Sequence, residues 1–411
     1  MLLDTTKGES LESLLELFIS SRKYSTQLIG ELTPEDCQSQ SMPEASPIKW
    51  HLAHVTWFYE VMVLKQFEVN FEFWNPQYAV LFNSYYNIIG DKHPRAQRGL
   101  LTRPSLDEVL SWRANIDKRV VHLLTTQPTP EIKSLVRLGI NHEQQHQELM
   151  LTDLQHLFFN NSLYPYVNNF KGPQKSSTNK MDWIHLDPGL YSVGFNELGF
   201  HFDNEGPQHK VYIQPCALSN SLVTNDDWFK FIKSGGYNDS RWWLDEGWAW
   251  VQREQIHTPL YWIQAQDSES FSEFSLSGCL PLEGAHPVRN ISYFEADAYA
   301  SWANKNLDHH LGVRLPTEFE WEVFAKTQPQ QFEDMFQCLW QWTSSSYSAY
   351  PGYRPWSGLA GEYNGKFMIN QMVLRGSSSF TVDGHSRPSY RNFFPAQSRW
   401  QMTGLRLAKD L

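Results

Sequence analysis

Two histidines, His142 and His146, stand one helical turn apart in the stretch Asn141-His-Glu-Gln-Gln-His-Gln-Glu-Leu-Met150. No Gly or Pro interrupts the chain from Asn141 to Phe159. On a helix this spacing puts both imidazoles on one face. Two imidazoles so placed can share one metal ion. Gln145 and Glu148 fall within the same turn and a half, near enough to orient a ligand or a substrate. A chain with 15 histidines also produces such pairs by chance, so a third donor has to decide. The candidate is His54, in Trp50-His-Leu-Ala-His54. His51, one turn earlier, is the rival, and a histidine there more readily caps, pairs or faces solvent. Three neutral imidazoles leave a divalent ion its full charge and, in octahedral geometry, three open positions. Such a site could gather a thiolate, an imidazole and dioxygen on one iron. Tetrahedral geometry would point instead to zinc with a bound water.

Other residues offer matching chemistry. The adjacent phenols of Tyr85 and Tyr86 could donate a proton to a reduced oxygen species, or simply pack. Arg95 and Arg98, in His-Pro-Arg-Ala-Gln-Arg, could hold a substrate carboxylate in bidentate fashion, or lie on the surface.

The elements that must position these groups are helical in the first part of the chain. Leu11, Leu14, Leu15, Phe18 and Ile19 mark an amphipathic helix from Ser10 to Leu32. A second helix starts near Ser46-Pro47, with Pro suited to its first turn, and carries His54. A third follows Ser105-Leu-Asp-Glu, a capping-box pattern, to about Gln127. The fourth, Pro130 to Phe159, carries the His pair. Four helices with one long crossover describe a four-helix bundle, and bundles build metal sites from inward side chains. The crossover, Asn70 to Pro104, is irregular and aromatic, as functional loops are.

The polar run from Asn160 to Lys180 reads as a domain boundary. Beyond it the composition shifts: 13 of 17 tryptophans lie at or after residue 183. The second part is rich in glycine and loops, with short strands such as His209–Ile213 and Met372–Leu374, and helices at Ser292–Asn306 and Glu318–Ala325. The expected organisation is α+β, with domains 1–170 and 181–411. A net charge of −11 argues against nucleic acid and anionic membranes as partners. No apolar run is long enough to span a bilayer, and the first residues lack the features of a signal peptide. The four scattered cysteines fit free thiols in a reducing cytoplasm.

Several segments resemble known families. Pro47-Ile-Lys-Trp-His-Leu-Ala-His54 with His142-Glu-Gln-Gln-His146-Gln-Glu148 resembles a DinB-type bundle. His286-Pro-Val-Arg-Asn290, Arg314-Leu-Pro-Thr-Glu-Phe-Glu-Trp321, Trp340-Gln-Trp-Thr343, Val373-Leu-Arg-Gly-Ser377 and Gly404-Leu-Arg-Leu-Ala408 resemble the formylglycine-generating-enzyme-like, or C-type-lectin-like, fold. In this order, the two halves resemble the ergothioneine-type sulfoxide synthases, or hercynine oxygenases.

The resemblance implies a mononuclear non-haem iron(II) enzyme. Such enzymes use dioxygen to couple a thiol to the imidazole C2 of Nα-trimethylhistidine (hercynine), giving a sulfoxide. It implies that His54, His142 and His146 hold Fe(II), and that Gln145 and Asn392 contact the trimethylhistidine. Tyr363 falls near another substrate contact, and Phe393 belongs to the aromatic surplus that could face its cation. Members that accept γ-glutamylcysteine carry an Asp and an Arg where this chain has Phe394 and Ser398, so the resemblance implies cysteine as donor. The catalytic tyrosine of that subgroup is replaced by Ala360. The other subgroup has a Tyr-Tyr pair in the N-terminal loop, which raises Tyr85 and Tyr86 to catalytic candidates. Alternatives are a selenium-donor homologue, a DinB-type thiol transferase or hydrolase with zinc, a copper formylglycine-generating enzyme and a binding module.

Overall fold

The computed structural model describes residues 10–167, 181–265, 270–306 and 312–411. The chain forms two compact units. One comprises Met1–Asn160 with Glu197–Asp203 and Arg354–Lys366; the other comprises Asn161–Asn196, Asn204–Tyr353 and Phe367–Leu411. The polar segment expected at the boundary lies largely outside the described residues. Among the described residues no helix is long and apolar enough to cross a membrane.

Four long helices build the first unit: α1 (Leu11–Gln27), α2 (Ile48–Phe58), α3 (Leu106–Thr126) and α4 (Pro130–Phe159). Their starts follow local chemistry. The Ser10 side chain accepts the Ser13 N–H, and Thr129 accepts the Ile132 N–H ahead of Pro130 at the first turn. Ser105 likewise accepts from Glu108, but the reciprocal half of the expected capping box is diverted. The Glu108 carboxylate takes the Tyr78 hydroxyl at 2.6 Å instead, tying the long crossover to α3. That crossover is not wholly irregular: it holds a short helix, Tyr78–Leu81, and a 3-10 segment, Arg95–Leu100.

Helix α2 is the buried centre of the unit. Every residue from Ile48 to Leu64 is buried, and the helix widens into a π-helical turn at Tyr59–Leu64. Buried polar groups on it find partners in neighbouring backbone; Lys49 Nζ, for example, donates to the carbonyls of Leu101 and Pro104 at 2.9 and 2.8 Å. Gly139 of α4 admits the Tyr59 ring, since a Cβ there would lie 2.6 Å from Tyr59 Cε1. The bundle helices can therefore approach closely at the level of the His pair.

The second unit is a mixed structure of short strands and helices. One four-stranded sheet runs in the order Trp183–Leu186, Cys216–Ser219, Ala408–Asp410, Val313–Arg314. The other runs Asn392–Phe394, Met372–Gly376, Trp340–Ser346, Thr403–Gly404. The helices expected from sequence appear at Tyr293–Asn306 and Glu318–Thr327. Trp321 and Phe324 of the latter pack on Leu218, Ile213 and Val193 in the core. Buried Glu318 receives Arg375 at 2.8 Å and Arg391 at 2.8 Å, so the charges in this core are paired.

Candidate metal centre

His54, His142 and His146 come together in the first unit, each offering one ligand atom within 4.8 Å of the others. His54 descends from α2, and the other two share a face of α4. Trp50 and Trp57 fix the His54 ring from both sides, stacked at centroid distances of 4.7 and 5.4 Å. The backbone carbonyl of Phe82 lies 2.6 Å from His54 Nδ1 and turns Nε2 toward the cluster. There it stands 3.2 Å from His142 Nε2. Two neighbouring ligands with metal–nitrogen bonds of about 2.1 Å, at right angles, sit about 3.0 Å apart. The residues therefore fit a mononuclear ion. His146 keeps its Nε2 for that ion because its Nδ1 faces His51 Nδ1 at 2.8 Å. His142 Nδ1 is buried without a hydrogen-bond partner among the described residues.

Burial decides the charge of the cluster. It pulls the His142 pKa down from 6.5 to about 3, and those of His54 and His146 well below 6.5. His142 pushes the other two further down. All three are neutral donors at neutral pH, the form that binds a metal.

Tyr363 is the phenol brought directly against this cluster. Its ring meets His142 edge-on at 5.7 Å, stacks on Phe202 at 5.4 Å and meets Tyr85 at 6.4 Å. Its hydroxyl donates to Gln145 Oε1. Tyr85 and Tyr86 stack on each other at 4.6 Å, and Tyr86 packs on Trp57 at 5.5 Å. Burial raises both of their pKa values, so both phenols keep their protons. Lys366 holds the loop that carries them, donating to the Tyr85 carbonyl with its ammonium over the Tyr85 ring. Glu362 accepts the Ile88 N–H at 3.1 Å in the same loop.

The two arginines part company. Arg98 is buried, with its guanidinium 3.3 Å from the Trp50 ring centre, on the indole that stacks against His54. Arg95 is exposed and donates to the Glu44 carbonyl. Asn392 and Phe393 lie in the second unit. Asn392 Oδ1 accepts the Phe393 N–H at 2.9 Å, and the Phe393 ring stacks on Tyr347 at 4.0 Å, with Phe367 at 5.9 Å. All four cysteines are unpaired.

One buried charged group beside the cluster escapes sequence reasoning. Glu143, next to His142, is buried on the adjoining flank of α4 and receives Arg22 at 2.9 Å, Arg113, and the Ser25 hydroxyl at 2.6 Å. Burial alone would raise its pKa, but the two guanidiniums outweigh it and hold the carboxyl near 2. The available signal was Glu143 with Gln147, a polar pair at i, i+4 on a flank that has to pack inside the bundle.

Known proteins place this geometry in context. The DinB superfamily profile matches residues 17–150, and the profile described as a sulfatase-modifying factor enzyme 1-like domain matches residues 169–334. The hercynine oxygenase of Mycolicibacterium smegmatis is 27% identical, covering 97% of this chain and 99% of that protein. That of Mycobacterium tuberculosis is 27% identical over 90% and 92%. A formylglycine-generating enzyme of Mus musculus is 26% identical over 38% of this chain and 42% of its own. The chain thus joins a DinB superfamily domain to a sulfatase-modifying factor enzyme 1-like domain, and over nearly its whole length it is similar to hercynine oxygenases.

Proposed function

We propose that this protein is an iron(II)- and dioxygen-dependent hercynine oxygenase. It would be a sulfoxide synthase joining the thiol of cysteine to the imidazole C2 of Nα-trimethylhistidine in ergothioneine biosynthesis. One observation supports the reading most: three neutral imidazoles from two helices, two of them buried and one half-buried, converge in a chain similar to hercynine oxygenases along nearly its whole length. In the reaction a C–S bond replaces the thiol S–H and the ring C2–H. One oxygen atom of dioxygen ends on sulfur and the other leaves as water with both hydrogens. Iron(II), held by His54, His142 and His146, supplies the oxygen-activating chemistry when bound.

The remaining residues bind, orient and hold protons. Arg98 takes the cysteine carboxylate, since it is a buried cation with no carboxylate partner among the described residues. Arg95 is assigned to the same carboxylate from its place in the motif. Phe394 and Ser398 offer no charge to a second carboxylate or amine, which favours cysteine over a dipeptide. Gln145, oriented by the Tyr363 hydroxyl, contacts hercynine. Asn392, with its oxygen occupied by the Phe393 N–H, donates from its Nδ2 to the hercynine carboxylate. The Phe393 face receives the trimethylammonium, at about 0.5–2 kcal/mol per aromatic face. Tyr85 and Tyr86 keep their protons and serve as the O–H donors to the reduced oxygen species. Unpaired cysteines fit a reducing cytoplasm as the site of the reaction.

The test is anaerobic reconstitution with iron(II), addition of trimethylhistidine and cysteine, then air, and mass spectrometry of the product. The sulfoxide should appear with iron and not with zinc. A preparation that makes no C–S product with any iron loading would end the proposal.

A further inference from the structure

His51 was read from the sequence as a rival ligand, and the structure gives it different neighbours. It is buried, one turn before His54 on α2, with its Nδ1 2.8 Å from His146 Nδ1 and its Nε2 3.1 Å from Asp153 Oδ2. Asp153 is buried too, two turns beyond His146 on α4, and its Oδ2 also accepts the Ser46 N–H at 2.8 Å. These contacts settle the protons. A carboxylate only accepts, so His51 Nε2 carries the hydrogen. Neutral His51 then has a bare Nδ1. Two nitrogens 2.8 Å apart share one proton, which must sit on His146 Nδ1. The lone pair of His146 is thereby left on Nε2.

We propose that His51 and Asp153 are positioning residues for the metal, a carboxylate–imidazole–imidazole relay that fixes the tautomer and direction of His146 and makes it the strongest of the three ligands. The comparison within the site sets the order. Behind His54 stands a neutral backbone carbonyl, and behind His142 Nδ1 no partner among the described residues. Among the described residues, only His146 has a carboxylate behind it, one imidazole away. Groups in this position raise ligand basicity, and their loss costs about 10–100-fold in metal affinity. The relay also joins the two helices that carry the ligands, so it holds the bite of the site as well as its protons. The inference rests on the metal-centre reading above.

The experiment is an anaerobic cobalt(II) titration against a competing chelator, following the d–d absorption bands, on the full-length protein. The variants are His51→Phe, His51→Asn, Asp153→Asn and, as ligand control, His142→Ala. Melting of each metal-free variant runs alongside. His51→Phe should weaken cobalt binding about 10–100-fold and shift the bands. His51→Asn offers an oxygen where Nδ1 was and should recover most of the affinity. Asp153→Asn keeps the shape without the charge and should fall between; it also carries the test should the Phe variant not fold. If His142→Ala loses cobalt while Asp153→Asn and any folded His51→Phe keep the parent's affinity and bands, this inference is wrong and the metal centre stands. If the parent and His142→Ala bind cobalt alike, the metal centre itself is wrong and the relay falls with it.

Discussion

Replacing Arg98 by methionine separates its binding role from a structural one, because the two predict opposite signs. Arg98 is 3% exposed. Its Nη atoms donate to the hydroxyls of Ser46 at 2.8 Å and Ser84 at 3.0 Å, and its Nε is buried without a hydrogen-bond partner among the described residues. No carboxylate pairs with it among the described residues. Burial and the neighbouring Arg95 both pull its pKa down, the mark of a cation held at a cost. Methionine keeps a flexible apolar stem against Trp50 and removes the charge. Apolar replacement of a buried charge is often neutral or stabilising, so the variant should unfold within about 1 kcal/mol of the parent or later. Substrate binding should respond the other way. Hydrogen bonds to a charged group contribute about 1.5–3 kcal/mol, which is about 10- to 150-fold in affinity. Cysteine affinity should fall by that factor while hercynine affinity holds. Cysteamine, which lacks the carboxylate, should be handled alike by both proteins. Sulfoxide formation against thiol concentration, with urea unfolding in parallel, reads both quantities. An Arg98→Met variant that loses several kcal/mol of stability and binds cysteine like the parent would refute the assignment.

Three further outcomes follow from the same geometry. Glu143→Gln strands the Arg113 guanidinium without a carboxylate and should cost about 3–5 kcal/mol in urea unfolding; a loss under about 1 kcal/mol would show that the network is not a buried ion pair. The Tyr85→Phe, Tyr86→Phe double variant should make less sulfoxide and more cysteine sulfinate by mass spectrometry; if rate and ratio are unchanged, the donor is elsewhere and Tyr363→Phe is the next variant. Acid should unfold the metal-free protein early. His142 keeps a pKa of about 3 when folded against 6.5 unfolded, so its contribution is complete above pH 6.5 and is lost as pH falls toward 3. Each such imidazole steepens the loss by about 1.4 kcal/mol per pH unit, and a flat stability between pH 7 and 5 would contradict the buried neutral cluster.

The sequence made the helices legible because their signals are local. Ser105 caps α3 and Pro130 opens α4 where the pattern predicts, and the spacing of His142 and His146 survives unchanged into α4. The His-rich turn around His54 made it legible as the third member of the cluster. What stayed hidden depends on contacts between residues distant in the chain. Tyr363 reaches Gln145 across 218 residues, and His51 reaches Asp153 across 102. Neither has a periodic pattern to announce it. The same holds for Glu197–Asp203 and Arg354–Lys366, loops that belong to the helical unit and are joined to each other by Asn364 donating to Asp203 at 2.7 Å. The π-helical turn at Tyr59–Leu64 begins where the Tyr59 ring sits on Gly139, a tertiary contact with no local signature.

The two flanks of α4 show how one helix can hold a neutral centre beside a charged one. His142 and His146 line one flank; Glu143 and Gln147, each one residue later, line the next, about 100° around the axis. The low dielectric that keeps the imidazoles neutral would equally tend to protonate Glu143, and Glu143 would in turn raise the His142 pKa. Arg22 and Arg113 resolve the first conflict by holding Glu143 ionised and balancing its charge, and burial outweighs Glu143 at His142, which stays a free base. Arg22 then leans on Asp117 at 2.6 Å, and Gln147 donates to the Ser21 carbonyl and the Ser25 hydroxyl, pinning α1 to α4. The charged flank thus fixes the backbone of α4 without placing a net charge beside the histidines. The imidazole face itself is then left with neutral neighbours close to it, the Phe82 carbonyl at His54 and the His51 ring at His146.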